Sequence, residues 1–547
     1  MLAYPKTIAF ALGCVSALGF APLGWWPLTL IAFAAWMALV RIAETRGSAL
    51  ARGYWFGVGH FTVGLNWIAG SFRYQETMPV WLGWFAVVAL ALYIAVYPAL
   101  AAGLAWRWGR GPLPSGEGDR AQHGGVASAE LGTTVSANSH GAPPPVSLVP
   151  LPVSGRIGFV LIFAAAWTVT EWLRATMFTG FAWNPLAVVA VDSLYGHLTT
   201  LVGTYAVSGM IVLLAGGIAG VVNGSVIWRT VTLLLVLQLF RGMDLGEERQ
   251  SGPLIRIVQP NIGQQDKYEP GYEAINFTKL ARLTGKPGTE PRLIFWPEAA
   301  IPDYLDETDD DAAEARARIA RLMGPRDVIL TGGVKRHFKR TKGGAWWEDE
   351  LIGARNAVFG MDAKGRLLFR YDKAHLVPYG EYLPMQPVLS LFGLTRLVPG
   401  TVDFWPGPGP QSHAIPGFGK AGFQICYEIV FSGEVVDRAN RPDFLFNPSN
   451  DAWFGAWGPP QHLAQARLRA IEEGIPIIRS TPTGISAAID ADGRVLASLP
   501  YQRPGFIETN LPRAHAPTLF ARYGNILSFA FALLLAALGV AFNRRSR

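Results

Sequence analysis

The sequence predicts a membrane α-helical bundle of about eight transmembrane helices plus one α/β domain. The chain of 547 residues is 50% hydrophobic and only 16% charged, whereas soluble domains are about one-quarter charged. The charge is also uneven, because residues 7–105 and 157–240 hold few ionisable groups while residues 242–515 have the composition of a soluble domain. We therefore expect a polytopic membrane region and a single globular domain large enough for its own core.

Eight apolar segments are long enough to cross, or nearly cross, a bilayer. They lie at 7–23, 25–40, 53–72, 79–105, 157–173, 198–222, 226–240 and 524–543. The second and the seventh are short, and Arg229 interrupts the seventh. The first segment lacks a convincing cleavage site and a second follows at once, so we expect a span rather than a cleaved signal peptide.

Arginine residues predict the orientation of these spans. They cluster in every second connection and at the end of the chain, as Arg41, Arg46, Arg52, Arg107, Arg110, Arg156, Arg229, Arg544, Arg545 and Arg547. With eight spans, these connections share one side of the membrane with both termini, and the positive-inside rule makes that side cytoplasmic. The soluble domain joins spans seven and eight, so it is predicted to lie on the opposite side.

These predictions divide the chain into three parts. Residues 1–241 form an N-terminal transmembrane region of seven helices, residues 242–515 form the soluble domain, and residues 516–547 form a C-terminal transmembrane helix with a basic cytoplasmic tail. Residues 111–155 are rich in Gly, Ser, Ala and Pro and have no apolar period. They are predicted to be a disordered cytoplasmic loop without a chemical role.

The soluble domain alternates short apolar runs with helical stretches, a pattern typical of an α/β sandwich. The predicted strands are Leu254–Pro260, Leu293–Trp296, Val328–Gly332, Asn356–Met361, Leu367–Tyr371, Gly422–Cys426, Phe444–Asn447, Ile477–Arg479 and Ile485–Asp490. Helices are predicted at Asp310–Leu322 and Pro460–Glu473.

Cys426 is the most informative residue of the chain, which has only two cysteines. The other, Cys14, lies within an apolar run and has the character of a small packing residue. Cys426 follows a strand-like run, as do Glu298 and Lys373 elsewhere in the domain. Three such strand ends can converge on one pocket, and a thiol beside a carboxylate and an ammonium indicates covalent acyl transfer.

Each of these residue types has a definite task in such a site. A thiol with an ordinary pKa near 8.5 needs a base to become a nucleophile, and a nearby Glu can take the proton. A Lys stabilises both the thiolate and the oxyanion that forms when a carbonyl is attacked. Taken singly, a Glu after Trp-Pro or a lone Lys is more often a surface residue.

Other classes of site lack support in the sequence. Zinc-type ligand spacing and a Gly-rich phosphate loop are both missing from the sequence, so we predict no metal and no cofactor. The net charge of +7 does not form a basic stripe, so nucleic acid is not an expected partner.

The order and the surroundings of the three residues resemble those of the nitrilase superfamily. The matching motifs are Trp296-Pro297-Glu298, Tyr371 through Glu381, Cys426-Tyr427-Glu428 and Asn447 through Gly455. Spans on both sides, Gly180 through Trp183 and Gln259 through Ile262 extend the match over nearly the whole chain. The chain thus resembles the apolipoprotein N-acyltransferases, a polytopic membrane family of that superfamily. This resemblance implies a nitrilase-like αββα sandwich for the soluble domain.

The resemblance also implies roles for individual residues. It makes Glu298 the general base, Lys373 the stabiliser of thiolate and oxyanion, and Cys426 the nucleophile. It gives supporting roles to Glu381, Tyr427 and Glu428. For Glu428, a structural salt bridge behind the pocket is an equally good interpretation.

Four further residues are expected to bind substrate or to form a lid. They are Tyr268, Tyr382, Trp453 and Phe454. Tyr268 stands where the family has Trp, and it keeps an amphipathic ring suited to a lipid-facing lid. Such a lid would exclude water and favour transfer to an amine over hydrolysis.

The reaction implied by the resemblance is the last step of bacterial lipoprotein maturation. A membrane phospholipid would donate an acyl chain to Cys426, and the thioester would then acylate the N-terminal diacylglyceryl-cysteine of an apolipoprotein. The enzyme would be a multi-pass protein of the bacterial cytoplasmic (inner) membrane, with cytoplasmic termini and a periplasmic catalytic domain.

Two alternatives compete with this interpretation. A membrane-tethered amidase or nitrilase could use the same three residues with water as acceptor, although it would need one anchor at most. A transporter or receptor could carry an inactive domain, although the joint presence of Glu298, Lys373 and Cys426 argues against it.

Overall fold

The structure, a computed structural model, describes most of the chain. It covers residues 4–74, 79–109, 153–221, 226–240, 252–267, 269–343, 346–385, 391 and 402–545. Residues 111–152 of the predicted loop 111–155 lie outside the described residues, and so does Tyr268. The end predicted for this loop is wrong, because a helix begins at Val153 and extends the apolar segment by about one turn.

The described residues of the N-terminal region form helices joined by loops and contain no strand. Its helices are α1 (Pro5–Ser16), α2 (Trp26–Arg41), α3 (Arg46–Gly64), α4 (Ile68–Ser71), α5 (Leu82–Ile94), α6 (Val96–Gly109), α7 (Val153–Thr176), α8 (Leu194–His197), α9 (Thr199–Val202), α10 (Thr204–Val221) and α11 (Val226–Leu237). Each of the first seven predicted spans overlaps at least one of them.

Membrane crossing is a stricter criterion than helix formation. Within the described part of the chain, three helical segments are long and apolar enough to cross a membrane: Leu82–Gly109, Ile157–Thr176 and Ile526–Arg545. Three shorter apolar segments are Pro5–Gly19, Trp26–Arg41 and Thr204–Ile218. Eight crossings therefore stay a prediction.

Small and aromatic residues pack these helices. A Cβ atom at Gly13 or Gly59 would overlap main-chain atoms of the facing helix, so α1 and α3 approach closely because both positions are glycine. Trp36 stacks on Phe56 with ring centroids 3.9 Å apart, and Trp167 meets Trp36 edge-on. These buried rings form the centre of the helical region.

In the domain that follows, the described residues form twelve strands in two six-stranded sheets. They are β1 (Leu254–Gln259), β2 (Arg292–Phe295), β3 (Val328–Gly343), β4 (Trp346–Asp362), β5 (Leu367–Asp372), β6 (Ser412–Ile415), β7 (Gly419–Phe423), β8 (Phe444–Pro448), β9 (Ile477–Ser480), β10 (Ser486–Ile489), β11 (Val495–Leu499) and β12 (Gly505–Asn510). The first sheet has the order β12-β1-β2-β3-β4-β5 and the second has the order β11-β10-β9-β8-β7-β6.

Five helices complete the described chain. They are α12 (Glu273–Thr284), α13 (Asp310–Ala320), α14 (Gly458–Glu473), α15 (Leu519–Tyr523) and α16 (Ile526–Arg545), the last of which covers the eighth predicted span.

The two sheets face each other and carry helices on their outer sides. Leu293 and Phe295 of the first sheet share a buried cluster with Phe446 of the second. Helices α12 and α13 cover the first sheet, and α14 covers the second, so the layers follow the order αββα.

All nine predicted strands occur, but the predicted end at Cys426 is wrong. Strand β7 stops at Phe423, and Cys426 begins a short 3₁₀ helix that ends at Val430. The chain turns there because the main-chain N–H of Ile425 donates to the Glu428 carboxylate at 2.7 Å. Strands β6, β11 and β12 and helix α12 were not predicted.

Helix α14 also joins the α/β domain to the helical region. Trp183 Nε1 donates to Gln461 Oε1 at 2.8 Å, and the Asn184 main-chain N–H donates to Gln465 Oε1 at 3.0 Å. The Thr204 main-chain N–H donates to a carboxylate oxygen at the other end of α14. These buried hydrogen bonds hold the strand ends of the second sheet next to the helical region.

Candidate active site

The candidate site lies where strand ends from both sheets meet. Strands β1, β2 and β5 run in the same direction, so the residues that follow them share one edge of the first sheet. Glu298 follows β2 and Lys373 follows β5. Strands β7, β8 and β9 are likewise parallel in the second sheet, and Cys426 follows β7.

Lys373 is the centre of the charged half of the site. Its Nζ atom lies 2.9 Å from Glu381 Oε2 and 4.0 Å from Glu298 Oε1, with the side chain only 1% exposed. Burial by itself lowers the pKa of Lys373, but the nearby Glu381, Glu298 and Cys426 outweigh it and raise the pKa above its ordinary value. The ammonium is therefore charged at any physiological pH.

Asn356, from strand β4, links the two carboxylates. Its Nδ2 atom donates to Glu298 Oε1 at 2.7 Å and to Glu381 Oε1 at 3.0 Å. Among the described residues, the buried Glu298 Oε2 has no hydrogen-bond partner. The carboxylate is thus oriented through one oxygen, and the second is left to receive a proton.

Cys426 is buried, and its main chain is strained. The residue is 5% exposed, and its φ of 52° lies in the left-handed region that a side-chain-bearing residue rarely adopts. Burial raises the pKa of the thiol to about 12, the Glu298 charge adds to this rise, and Lys373 opposes it. The thiol is therefore protonated at neutral pH and requires a base before it can attack.

Glu428 joins the two sheets behind the pocket. Its carboxylate accepts hydrogen bonds from the main-chain N–H groups of Ile425 at 2.7 Å, Ala374 at 2.7 Å and His375 at 3.0 Å. It also accepts from the Tyr371 hydroxyl at 3.0 Å. Burial raises the pKa of Glu428 to about 7. This carboxylate therefore ties the turn at Cys426 to the strand end that carries Lys373.

Tyr427 points away from the charged half and toward the helical region. Its ring packs edge-on against Phe431 at 5.1 Å, and its hydroxyl lies 3.5 Å from the Gly180 carbonyl oxygen. Arg174 holds the same loop, because its guanidinium donates to the carbonyl oxygens of Phe181 and Trp183 at 2.8 Å each.

The predicted lid residues occupy different surroundings. The Phe454 ring packs on Trp67 at 4.6 Å, while Trp453 meets Tyr74 edge-on at 5.6 Å, so both contact the helical region. Tyr382 is partly buried, and its carbonyl accepts from the Tyr379 N–H at 2.8 Å. A lid role stays a prediction for these residues, as it does for Tyr268.

Several residues of this site were missed in the sequence analysis. Lys267, in the loop after β1, donates from Nζ to the Glu298 main-chain carbonyl at 3.2 Å. Burial lowers the pKa of Lys267 to about 8, although Glu298 and Cys426 act to raise it. Asn356 was missed as well. So were buried polar residues that lie behind Cys426, on β9, on α14 and after β8. One feature of the sequence could have identified Lys267, because this residue directly precedes the predicted lid residue Tyr268.

The described residues contain no group of three or more His, Cys, Asp or Glu side chains placed to hold a metal ion. The polar groups around Cys426 instead bond to one another and to the main chain. The arrangement can activate a thiol by proton transfer and can stabilise negative charge on an attacked carbonyl.

Known proteins match both the helical region and the α/β domain of this chain. Residues 12–217 match the family model described as the apolipoprotein N-acyltransferase N-terminal domain, and residues 254–517 match the carbon–nitrogen hydrolase model. Apolipoprotein N-acyltransferase of Bradyrhizobium diazoefficiens is 32% identical, with 97% of this chain and 94% of that protein covered.

The comparisons also found a second relative of the same description and a solved structure. The protein of the same description from Rhodopseudomonas palustris is 31% identical, with 95% of this chain and 91% of that protein covered. A solved amidase from Nesterenkonia sp. is 17% identical, with a TM-score of 0.29, and it covers 49% of this chain and 94% of its own.

Proposed function

The chain belongs to the apolipoprotein N-acyltransferase family, and on this premise we propose a two-step acyl transfer that passes through Cys426. The donor is a membrane phospholipid, and the acceptor is the α-amino group of the N-terminal diacylglyceryl-cysteine of an apolipoprotein. The observation that carries the proposal is the buried Lys373 ammonium, which lies between Glu298 and Glu381 and influences the pKa of Cys426.

The first step forms an acyl-enzyme. Glu298 takes the thiol proton of Cys426, and the thiolate attacks an ester carbonyl of the phospholipid. Lys373 and main-chain N–H groups of the turn at Cys426 stabilise the oxyanion of the tetrahedral intermediate. The C–O bond then breaks, Glu298 returns the proton to the leaving oxygen, and a lysophospholipid departs from a thioester.

The second step moves the acyl chain to nitrogen. The acceptor α-amine attacks the thioester carbonyl and passes a proton to Glu298. The C–S bond breaks, and the proton restores the thiol of Cys426. A thioester suits this task because it keeps the acyl group activated while an amine approaches.

The supporting residues act through these three. Glu381 holds the Lys373 ammonium, which would otherwise be drawn toward the Glu298 carboxylate. Glu428 fixes the turn that begins at Cys426, and Tyr427 seats that turn against the helical region.

A membrane location follows from the substrates, because both keep acyl chains in the bilayer. We propose that residues 1–241 and 516–547 span the inner membrane with cytoplasmic termini, and that residues 242–515 are periplasmic. The three long apolar helices support membrane insertion. Tyr268, Tyr382, Trp453 and Phe454 would limit the access of water to the thioester.

The competing function is hydrolysis, in which water takes the place of the amine. The purified full-length protein in detergent micelles should be given a phospholipid with a labelled acyl chain and a diacylglyceryl-cysteine peptide. We expect the label on the peptide amine, and an acetylated peptide serves as the blocked control. Label found only as free fatty acid with both peptides would replace the transferase proposal with a hydrolase.

A further inference from the structure

A buried His–Asp pair lies behind Cys426. His462, on α14, has its Nε2 atom 3.1 Å from the Cys426 carbonyl oxygen and its Nδ1 atom 3.0 Å from Asp451 Oδ1. Both side chains are 0% exposed. The proposed mechanism uses neither residue, although a Cys beside a His and an Asp is a familiar catalytic set.

The hydrogen-bond geometry argues against a base role for His462. A carbonyl oxygen only accepts hydrogen bonds, so Nε2 must carry a hydrogen in both the neutral and the charged ring. The ring nitrogen nearest the nucleophile therefore has no lone pair to receive the thiol proton. Burial and the Arg479 charge also lower the pKa of His462.

The other side of the ring is fixed by a buried ion pair. Asp451 Oδ2 accepts from Arg479 Nη2 at 2.5 Å, and Asp451 Oδ1 accepts from the Ser449 hydroxyl at 2.8 Å. Burial by itself raises the pKa of Asp451, but Arg479 and His462 outweigh it and lower the pKa. Because the neutral ring carries its hydrogen on Nε2, the Nδ1 atom accepts a hydrogen bond from Arg479 Nη2 at 2.9 Å, and the Asp451 anion holds that guanidinium in place.

The Cys426 carbonyl has a second donor that leads back to the same arginine. Asn447 Nδ2 lies 3.5 Å from this oxygen, and Asn447 Oδ1 accepts from Arg479. Ser449, which donates to Asp451, also lowers the pKa of the Cys426 thiol. The carbonyl of the nucleophile is therefore held by one buried network of residues from β8, β9, α14 and the loop after β8.

This network lies where the main chain needs support. Cys426 has a positive φ, and a non-glycine residue persists in that conformation only when its surroundings enforce it. Glycine would relieve the strain, but it would remove the thiol. The hydrogen bonds to the Cys426 carbonyl therefore add to the Glu428 contact with the Ile425 N–H in holding this conformation.

We propose that His462 is a positioning residue for acyl transfer, which donates from Nε2 to the Cys426 carbonyl while Asp451 and Arg479 fix its ring. The inference deepens the proposed function and rests on it for the nature of the acyl group. It holds for either acceptor, because it concerns the formation of the acyl-enzyme.

Two amide variants separate a positioning role from a base role. The Gln amide of H462Q can place its donor near the position of Nε2, but it cannot carry a proton at neutral pH. The Asn side chain of H462N is shorter, so its amide reaches only the position of Nδ1, on the side of Asp451. Both variants keep a polar group in the cavity, so the pair is matched for burial and charge.

The first readout is the rate of acyl-enzyme formation, followed by intact mass after mixing full-length protein with phospholipid. We expect H462Q to stay within about fivefold of the unmodified protein, and H462N to be slower by about 10²-fold, the order of loss that a misplaced reacting group causes. The apparent KM for phospholipid should change by less than about threefold, because ground-state binding is untouched.

The second readout is the pH dependence of Cys426 alkylation by iodoacetamide, which needs no lipid. We expect the profile of H462Q to match that of the unmodified protein, and H462N to react more slowly at every pH. If both variants lost the same ionisation from the profile and were equally slow, His462 would be a base and the proposal would be overturned. Full rates in both variants would overturn it as well.

The two readouts also keep this proposal apart from the proposed function. If no acyl adduct formed on the unmodified protein while H462Q and H462N still differed in alkylation, the acyl-enzyme would fail and the positioning role would stand. Adduct formation with equal alkylation rates in all three proteins would leave the acyl-enzyme standing and refute the positioning role.

Discussion

The two sheets of the catalytic domain contribute different kinds of chemistry to one site. Strand ends of the first sheet carry groups that can exchange protons or balance charge, namely Glu298, Lys373 and Lys267. The second sheet carries Cys426, whose surroundings are a buried network of fixed hydrogen bonds. Under the proposed mechanism the two sheets divide the work, because residues of the first sheet would move protons and residues of the second would hold the nucleophile in place.

Glu428 links the two halves. It lies on the second sheet's turn, yet three of its hydrogen-bond donors, Tyr371, Ala374 and His375, belong to the end of the first sheet's β5 and the loop that follows. Because the site is divided in this way, substitutions can test the contribution of each sheet separately.

Removal of the central ammonium should have the largest effect. In Lys373→Met two buried carboxylates, Glu298 and Glu381, lose their shared counter-charge, so we expect transfer to fall by more than about 10³-fold. Breaking such a buried group also costs about 3–5 kcal/mol of stability. Transfer assays and thermal unfolding check both expectations, with the exposed Lys364→Met as the control. Transfer within tenfold of normal would contradict the charge-balance role of the first sheet.

Removal of the base should be nearly as severe, and it should depend on pH. We expect Glu298→Gln to lower transfer by about 10²–10⁴-fold, the usual contribution of a general base. Burial, the largest cause of the raised pKa of the Cys426 thiol, persists when the Glu298 charge is removed, so alkylation of the variant should rise about tenfold per pH unit from pH 7 to pH 9.5.

The control for this experiment is Glu290→Gln, at an exposed position. A plateau of the alkylation rate near pH 8.5 in the Glu298→Gln protein would mean that the thiol has an ordinary pKa. The first sheet would then not be needed to activate it.

A polar substitution at Trp453 should change the product rather than the rate. The Trp453 ring meets Tyr74 of the helical region edge-on, and in the proposed lid it would cover the thioester. We expect Trp453→Ser to raise the ratio of hydrolysis to transfer by about three- to tenfold, because water gains access to the thioester. The ratio of labelled fatty acid to labelled peptide measures it, with Trp108→Ser at the exposed end of α6 as control. An unchanged ratio would count against a lid.

The smallest predicted effect concerns stability at the far end of α14. Burial raises the pKa of Glu473 to about 7, and the neighbouring Glu472 adds to the rise. A raised carboxyl pKa gives stability that is full below its ordinary value near 4.3 and is lost as the pH rises through 7. We expect Glu473→Gln to unfold about 2–4 °C higher than the unmodified protein at pH 8.

At pH 5 this difference in unfolding temperature should disappear, since the native carboxyl is then protonated. Glu314→Gln, at an exposed position of α13, should behave like the unmodified protein at both pH values. An equal shift at pH 5 and pH 8 would mean that Glu473 does not titrate in this range.

The sequence predicted the part of the site on the first sheet better than the part on the second sheet. Glu298 and Lys373 each follow an apolar run that reads clearly as a strand, so the edge they share could be inferred. His462 lies on a helix rich in Gln, Arg and Glu, a composition typical of a solvent-facing helix. In the structure α14 is buried between the second sheet and the helical region, and no local pattern reveals that burial.

The strands were also predicted unevenly, since the central strands were found and three edge strands were missed. The central strands are fully buried and therefore apolar, whereas β6, β11 and β12 lie at sheet edges with mixed exposure and weak alternation. The strain at Cys426 also escaped prediction, because a positive φ at a cysteine depends on the network around it rather than on its neighbours in sequence.

The most direct test of the account is the intact mass of the full-length protein, quenched within seconds of mixing with phospholipid and no acceptor. The account predicts a gain of one acyl chain that hydroxylamine removes and that is absent from Cys426→Ala. Lipid turnover without an adduct, or turnover that persists in Cys426→Ala, would contradict a covalent route through Cys426.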